Sequence, residues 1–498
     1  MDEFLLRMPS TTRRAVANTP VNPFLPAFAE AFAEVPASDG YVAIGLSDLN
    51  IRRGDIVHDA HCRQAAQDLP TLPDVLGGYR PRPVRDYFGP GRLADDLSNP
   101  VTGMLSAGTI PDLAALITAK SSGFMITYGA HGHFVRAWGG HCDNYAESEM
   151  VGLIEGIERI CCADPDPAQI VTELGPDTRV VGLGELGVAS QPAHDTRPAV
   201  THWSGGTDLI SGEDVALPVR AVYYDARISD PSYVQDSSSG CAAGGSSDEA
   251  RLFGLLEVIE RDAFLLAWYG DLELRMIEPG SITDPESRAY VQRLQLVGRS
   301  VRFFDATVGV EVPTVIAVCD TASGGMCFGA GSHPDPERAL RSALVEVASD
   351  FQVIEDHLAH RRHELELMLA DVHRVRQVDD HADLYGHPDS RTFLTGWARD
   401  AATERTIPLT QLRRAVDAGQ SITSDLSSVL AAVHSAGFSP ISVDVSSSLS
   451  RRHGLSCVKV VVPGLLPLDF GWANQRAMRM QRLSERARVI HPFPHPFP

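Results

Sequence analysis

The chain has 498 residues, 44% of them hydrophobic and 21% charged, and a formal net charge of −21. That length holds two or three domains, or one large core with an appendage. The acidic balance excludes a protein held non-specifically on nucleic acid or on an anionic membrane.

No apolar run reaches membrane-spanning length, and residues 1–7 lack a signal-peptide h-region, so a cytoplasmic location is expected. Eight cysteines occur without a CxxC pair, the pattern of free buried thiols in a reducing compartment. Lysine occurs at Lys120 and Lys459 alone, a bias that reads as a GC-rich genome.

In chain order, residues 1–94 read as an accessory segment, with a strand at Tyr41–Ile44 and a Gly/Pro-rich linker at Gly77–Pro83. Strand patterns follow at 124–127, 179–182, 219–224, 301–304, 312–318, 441–445 and 458–462. Helical periodicity covers 144–162, 247–269, 335–370 and 473–487.

Two of these helices carry nearly the same acidic motif. Glu155-Gly156-Ile157-Glu158-Arg159 recurs 102 positions later as Glu257-Val258-Ile259-Glu260-Arg261. A Glu pair at i and i+3 shares one helix face, and crowding like charges is costly unless a cation joins them. Glu249 lies 11 positions, about three turns, before Glu260 and so on the same face. Such carboxylates suit a hard divalent ion, Mg²⁺ above all, with Arg159 and Arg261 placed to meet phosphate or clamp the carboxylates. A degenerate third copy keeps Glu346 but has Ala348-Ser349 in place of the Ile-Glu step. In all three, a small residue precedes the first Glu by seven: Ser148, Ala250 and Ala339.

The loop Ser239-Gly240-Cys241-Ala242-Ala243-Gly244-Gly245-Ser246 runs into the second acidic helix. Its small residues permit close approach of a phosphate to a helix N-terminus, and Ser246 or Ser247 fits an N-cap. No Gly-Lys dipeptide exists, which excludes a P-loop. Gly182–Gly187 matches GxGxxG, but no long helix pattern follows it, so it is not a dinucleotide fingerprint. His357, His360 and His363 recur every three residues and read as a solvated helix face; zinc would want spacing of four or a Cys partner. The chain ends His491-Pro492-Phe493-Pro494-His495-Pro496-Phe497-Pro498, a stiff arm that favours polyproline II.

Taken together, these motifs resemble the YcaO-domain family, specifically its azoline-forming cyclodehydratase branch. The likeness covers about 95–498. It rests on Leu97–Met104, both ExxER helices, Ser239–Gly244 leading into Asp248-Glu249-Ala250, Ala339–Glu346, Val462–Pro467 with Phe470-Gly471, and the terminal PxPxP. The resemblance implies an α+β YcaO fold with internal helix–strand quasi-repeats. It also implies an ATP site without a P-loop, in which Glu155, Glu158, Glu257 and Glu260 bind Mg²⁺. Ser239, Gly240, Gly244, Gly245, Ser246, Glu249, Arg159, Arg341 and Glu346 would meet nucleotide, Arg261 would sit near phosphate, and Pro498 would carry the tail's role in turnover.

The implied reaction is ATP-dependent cyclodehydration of Cys, Ser or Thr in a ribosomal precursor peptide to thiazoline or oxazoline. The implied partners are a leader-binding ThiF-like protein and an azoline dehydrogenase, with a homodimer as a further expectation. The sequence departs from the family pattern at His141, Val151, Gly245 and Ser349, all at expected nucleotide contacts. The alternatives are a thioamide- or amidine-forming enzyme, a non-catalytic YcaO scaffold, and an unrelated metal hydrolase.

Overall fold

A computed structural model describes residues 3–6, 40–45, 51–55, 97–98, 105, 109–129, 132–163, 165–188, 200–224, 226, 228–235, 237–399, 406–412 and 418–497. The expected linker at Gly77–Pro83 and most of Leu97–Met104 lie outside these residues. Strands β1 (Glu3–Leu6), β2 (Gly40–Gly45) and β3 (Ile51–Asp55) pair antiparallel, and β2 contains the strand expected at Tyr41–Ile44.

A second three-stranded sheet comprises β4 (Ile110–Asp112), β5 (Ala119–Gly129) and β6 (Gly132–Cys142). Helix α1 (Tyr145–Ala163) packs on its long hairpin. A seven-stranded sheet follows. It contains β7 (Ile170–Val171), β8 (Arg179–Val180), β9 (Trp203–Asp208), β10 (Asp214–Pro218), β11 (Cys241–Gly244), β17 (Ile441–Asp444) and β18 (Ser456–Val461). Its order is β11-β18-β17-β9-β10-β8, with β7 against β9.

A five-stranded sheet has the order β15-β14-β13-β12-β16. Its strands are β12 (Arg275–Ile277), β13 (Val301–Asp305), β14 (Thr314–Asp320), β15 (Met326–Ser332) and β16 (Thr406–Ile407). Two short pairings, β10 with β8 and β12 with β16, are parallel and the rest are antiparallel, as an α+β protein requires.

Among the described residues, five further helices of nine residues or more pack on these sheets or on one another. Helix α2 (Ser247–Tyr269) lies on β11 and β18 and also reaches β15, so it joins the two large sheets. Helix α4 (Pro336–Ala370) covers β14 and β15, and touches α3 (Pro285–Leu296) and α5 (Val378–Gly386); α6 (Ile422–Ser435) packs on α2. On α4, His357 bonds Asp383 of α5 at 2.9 Å, while His363 is 85% exposed, so the His run is structural and solvated as expected.

The quasi-repeat has a packing cause. A Cβ added at Gly140 would stand 1.9 Å from the Ser148 carbonyl. One at Gly244 would stand 2.6 Å from the Ala250 nitrogen, and one at Gly331 2.2 Å from the Ala339 carbonyl. In each copy, then, a strand glycine lies against the small residue seven positions before the Glu. Backbone meets backbone there, and any larger side chain on either partner would part the helix from its strand.

Two expectations are corrected. The run 219–224 is not a strand: Val219–Val222 is one helical turn. Pro218 ends the strand before it, and Arg220 is turned inward to the carbonyls of Asp230 and Ile228. The run 473–487 is not one helix but 3₁₀ turns and a short helix at Gln481–Arg486.

Within that short helix, the Arg482 guanidinium is withdrawn into the core to pair with Asp262, which also accepts from the Leu466 N–H at 2.9 Å. Burial raises the Asp262 carboxyl against the pull of Arg482. Arg482→Met strands that carboxylate, so the expected loss is about 3–5 kcal/mol by chemical denaturation. Asp262→Asn in the same protein should recover part of it.

Candidate functional site

The site forms where three strand–helix units meet. In each, the leading Glu accepts a backbone N–H from the strand segment before its helix. Glu155 Oε2 takes Gly139 N at 2.7 Å, Glu257 Oε2 takes Gly240 N at 3.1 Å, and Glu346 Oε2 takes Ala330 N at 2.7 Å. The third copy is therefore the same device as the other two.

The arginine one turn later clamps its Glu. Arg159 Nε lies 3.0 Å from Glu155 Oε1, and Arg261 Nη2 lies 2.6 Å from Glu257 Oε1, with Nη1 3.7 Å from Glu260. Arg261 Nε is buried with no hydrogen-bond partner among the described residues. In the third unit the corresponding position is Asp350, 3.7 Å from Lys120.

Electrostatics tie the three units together. Burial pushes the Glu158 carboxyl well up, helped by Cys241, Glu257 and Glu155. Burial likewise raises Glu346, with Glu260 and Asp350 adding to it. Glu260 is pushed up to about 7 by burial and Glu257, against the pull of Arg261. A cluster that resists its own charge is one that a cation completes.

The donor chemistry fits Mg²⁺ held jointly with phosphate. Among the described residues no three ligating groups already converge on a point that would hold a bare ion. Mg²⁺ is ordinarily held by one or two carboxylates plus substrate phosphates, which is the site these residues offer. In EDTA, wild-type stability should fall relative to Glu260→Gln as pH rises from about 4.5 to about 7, by roughly 1 kcal/mol per unit. The sign follows from a raised folded pKa: the folded protein binds a proton that the unfolded chain has released. Thermal unfolding of both proteins across this range checks it.

Beside the cluster lies a cleft of about 630 Å³ lined by Val151, Ile154, Glu155, Glu158, Gly244 and Gly245, with Glu249, Phe253 and Leu455 beyond. Its apolar walls and inward carboxylates suit a nucleoside. Ser246 caps α2, accepting from Glu249 N at 3.2 Å, and Glu249 accepts from Gly245 N at 2.7 Å. The N–H groups of Gly240 and Gly245 are thus given to carboxylates. Ser239–Gly245 is largely strand β11, a rigid support, where the sequence pointed to a phosphate-wrapping loop.

Arg341 is not brought to the site: it pairs with Asp284 and Glu286 at the start of α3. Five residues before Glu346 is about 140° around the helix, so the two face different ways. The Ser349 hydroxyl bonds back to the Val345 carbonyl of its own helix at 2.9 Å. His141 pairs in register with Lys120 across the β5–β6 hairpin, near the third unit.

The C-terminal arm reaches the same place. Trp268 Nε1 donates to Phe493 O, Tyr385 Oη to Pro494 O and the His381 ring to His495 O. Phe497 is 1% exposed, against the Phe264 ring at 4.8 Å and beneath the Arg261 guanidinium at 5.2 Å. Pro498 itself lies outside the described residues. Sequence reasoning missed Asp350, Asp262 and Phe497. The alternating prolines were the signal for the last.

These features define a carboxylate-lined nucleotide fold without a P-loop. Residues 139–466 match the family model of the YcaO cyclodehydratase, which binds ATP and Mg²⁺. The chain belongs to the YcaO family and takes those cofactors.

An uncharacterized protein of the tfuA 3′ region of Rhizobium leguminosarum bv. trifolii is 29% identical over 204 residues, 39% of this chain and 48% of that one. An uncharacterized protein of Methanothermobacter thermautotrophicus is 26% identical over 272 residues, 53% and 65% of the two chains. The chain thus spans about half to two-thirds of these relatives.

Among solved structures, a heterocyclase in complex with substrate and cofactor has a TM-score of 0.63 at 19% identity, covering 92% of this chain and 67% of that one. YcaO from Methanopyrus kandleri bound with AMPPCP and Mg²⁺ has a TM-score of 0.56 at 21% identity, covering 78% and 92%. Both share the fold. No helix among the described residues is long and apolar enough to cross a membrane.

Proposed function

We propose that this protein is the ATP-dependent cyclodehydratase that turns Cys, Ser or Thr residues of a ribosomal precursor peptide into azolines. The observation that carries the reading is the docked C-terminal arm. Phe497 packs on Arg261, and Arg261 is paired to two of the proposed Mg²⁺ ligands. The arm thereby belongs to the acidic site, which favours the azoline-forming branch over a thioamide or amidine former. The heterocyclase likeness, which concerns the fold, is consistent with it.

In this reading Glu155, Glu158, Glu257 and Glu260 hold Mg²⁺, with Glu346 beside them. The nucleoside enters the cleft floored by Gly244 and Gly245 and walled by Glu249, while Ser239, Gly240 and Ser246 shape its support. Mg·ATP, when bound, supplies the phosphoryl group that converts a backbone amide oxygen into a leaving group. Arg159 and Arg261 hold the carboxylates in place and offer guanidinium charge to phosphate oxygens. Residues 1–94 form the docking segment for a separate leader-binding, ThiF-like protein, and a dehydrogenase acts on the azoline product.

Reconstitution with the precursor peptide and the leader-binding partner under ATP tests this. The expected result is one lost water per modified residue by mass spectrometry. Exchange of oxygen for sulfur would overturn the cyclodehydratase reading in favour of a thioamide former. Absence of Mg·ATP binding with the partner present would point to a scaffold.

A further inference from the structure

A second cleft, of about 730 Å³, opens at the other end of the β11–β18 ladder. The nucleoside cleft reaches Leu455, whereas this one is walled by Lys459, Val460 and Val461. Leu455, just before β18, and Val460 are five positions apart, about 16 Å along the strand. The carboxylate cluster lies between the two, because Glu257 is bonded to Gly240 in the chain joining them. Arg261 and Ser239 also line the second cleft.

Among the described residues its charge is unbalanced. Lys459 is 4% exposed and Arg220 8% exposed, and both line the cleft. Among the described residues their hydrogen-bond partners are backbone carbonyls: Ser237 O at 2.7 Å for Lys459, and Asp230 O and Ile228 O for Arg220. The other cations there are neutralised, Arg476 by Asp469 and Arg261 by its two glutamates. Glu185, on the rim, accepts from Gly182 N and lies 4.0 Å from Arg179. Among the described residues neither Lys459 nor Arg220 has a carboxylate partner, and buried cations so placed are strongly unfavourable unless an anion joins them. The rest of the wall is mostly apolar: Val222, Val258, Val462 and Leu465. The fitting ligand is an anion carried on an apolar body.

We infer that this cleft is the acceptor chamber, in which Lys459 and Arg220 hold the phosphorylated oxygen of the substrate peptide. The inference rests on the reading under Proposed function. There the peptide thiol or hydroxyl adds to the preceding carbonyl carbon and gives up its proton. The resulting oxygen bonds the γ-phosphorus of ATP as the P–O bond to ADP breaks with its electron pair on ADP. The amide nitrogen then loses its proton and forms C=N as the C–O bond breaks, its pair leaving on phosphate. Both stages place a phosphate on the side of Arg261 away from the nucleoside, where Lys459 and Arg220 stand.

Inorganic phosphate is the probe, added in EDTA without nucleotide or peptide, where the uncovered carboxylates repel anions from the metal site. Phosphate should raise the unfolding temperature of the wild type. Lys459→Met and Arg220→Met should each bind it at least about tenfold more weakly, with Lys459→Arg retaining most of the affinity. In the reconstituted reaction, Lys459→Met should raise the KM for precursor while the KM for ATP stays unchanged. No phosphate effect on the wild type, or a full effect in both Met variants, overturns the inference. Full azoline formation by Lys459→Met would overturn it and leave the proposed function standing. Phosphate binding lost in the Met variants, with no azoline from the wild type, would support the anion site and sink the cyclodehydratase reading.

Discussion

Glu257→Gln should abolish azoline formation and ATP turnover while leaving the fold intact. Gln keeps an acceptor for the Gly240 N–H and nearly the same volume, so the junction between β11 and α2 survives. What is lost is the charge that faces Glu158 and Glu260, each raised in part by Glu257. Two consequences follow. In the metal-free variant the lost pair with Arg261 opposes the relief of like-charge repulsion, so its stability should stay close to that of wild type. The stabilisation given by Mg·ATP should disappear, and kcat should fall by roughly 100-fold or more, the scale expected when a charge-stabilising group is removed. Thermal unfolding with and without Mg·ATP, beside mass spectrometry of the peptide, measures both. Full activity in this variant would sink the metal assignment.

The acidic helices were legible because their signals are local. An apolar face at helical period places 247–269 without reference to the rest of the chain, and Ser246 caps it where the sequence put a cap. The degenerate third copy was legible as a pattern but not as a partner. Its Glu346 joins Glu260 only once β15 and α4 fold together, a contact no spacing announces. Arg341 failed for a plainer reason, since helix geometry already turned it from Glu346.

The strand expected at 219–224 failed because an apolar run does not say where the strand ends. Arg220, within that run, is a buried cation facing a cleft. Lysine scarcity was read as genome composition. Yet Lys120 pairs with Asp350 of the third unit, and Lys459 stands buried between the β11–β18 ladder and the second cleft.

Phe497→Ala should lower stability by about 3–5 kcal/mol and cost most of the activity. The stability term is that of a large ring, 1% exposed, removed from contact with Phe264. The activity term has a separate origin. Without the ring beneath it, the Arg261 guanidinium loses the contact that holds it toward Glu257 and Glu260. Phe497→Leu separates the two, restoring much of the buried volume but not the aromatic face; it should regain stability more fully than kcat.

Acid should undo the docking by another route. Burial holds the His381 ring down at about 4 and the His495 ring well below its ordinary value. Both are buried, stacked at 4.1 Å, and bonded to carbonyls of the arm and of Asp469. Their folded pKa values lie below the unfolded value of 6.5. Their contribution to stability is therefore complete above that pH and is lost as pH falls from 6.5 toward 4. With two sites taking up protons on release of the arm, the slope approaches roughly 2.7 kcal/mol per pH unit. Emission from Trp268, whose indole N–H bonds Phe493, reports the release directly. Replacing His495 by Gln should flatten the profile; an unchanged profile would mean that the arm is not held by these histidines.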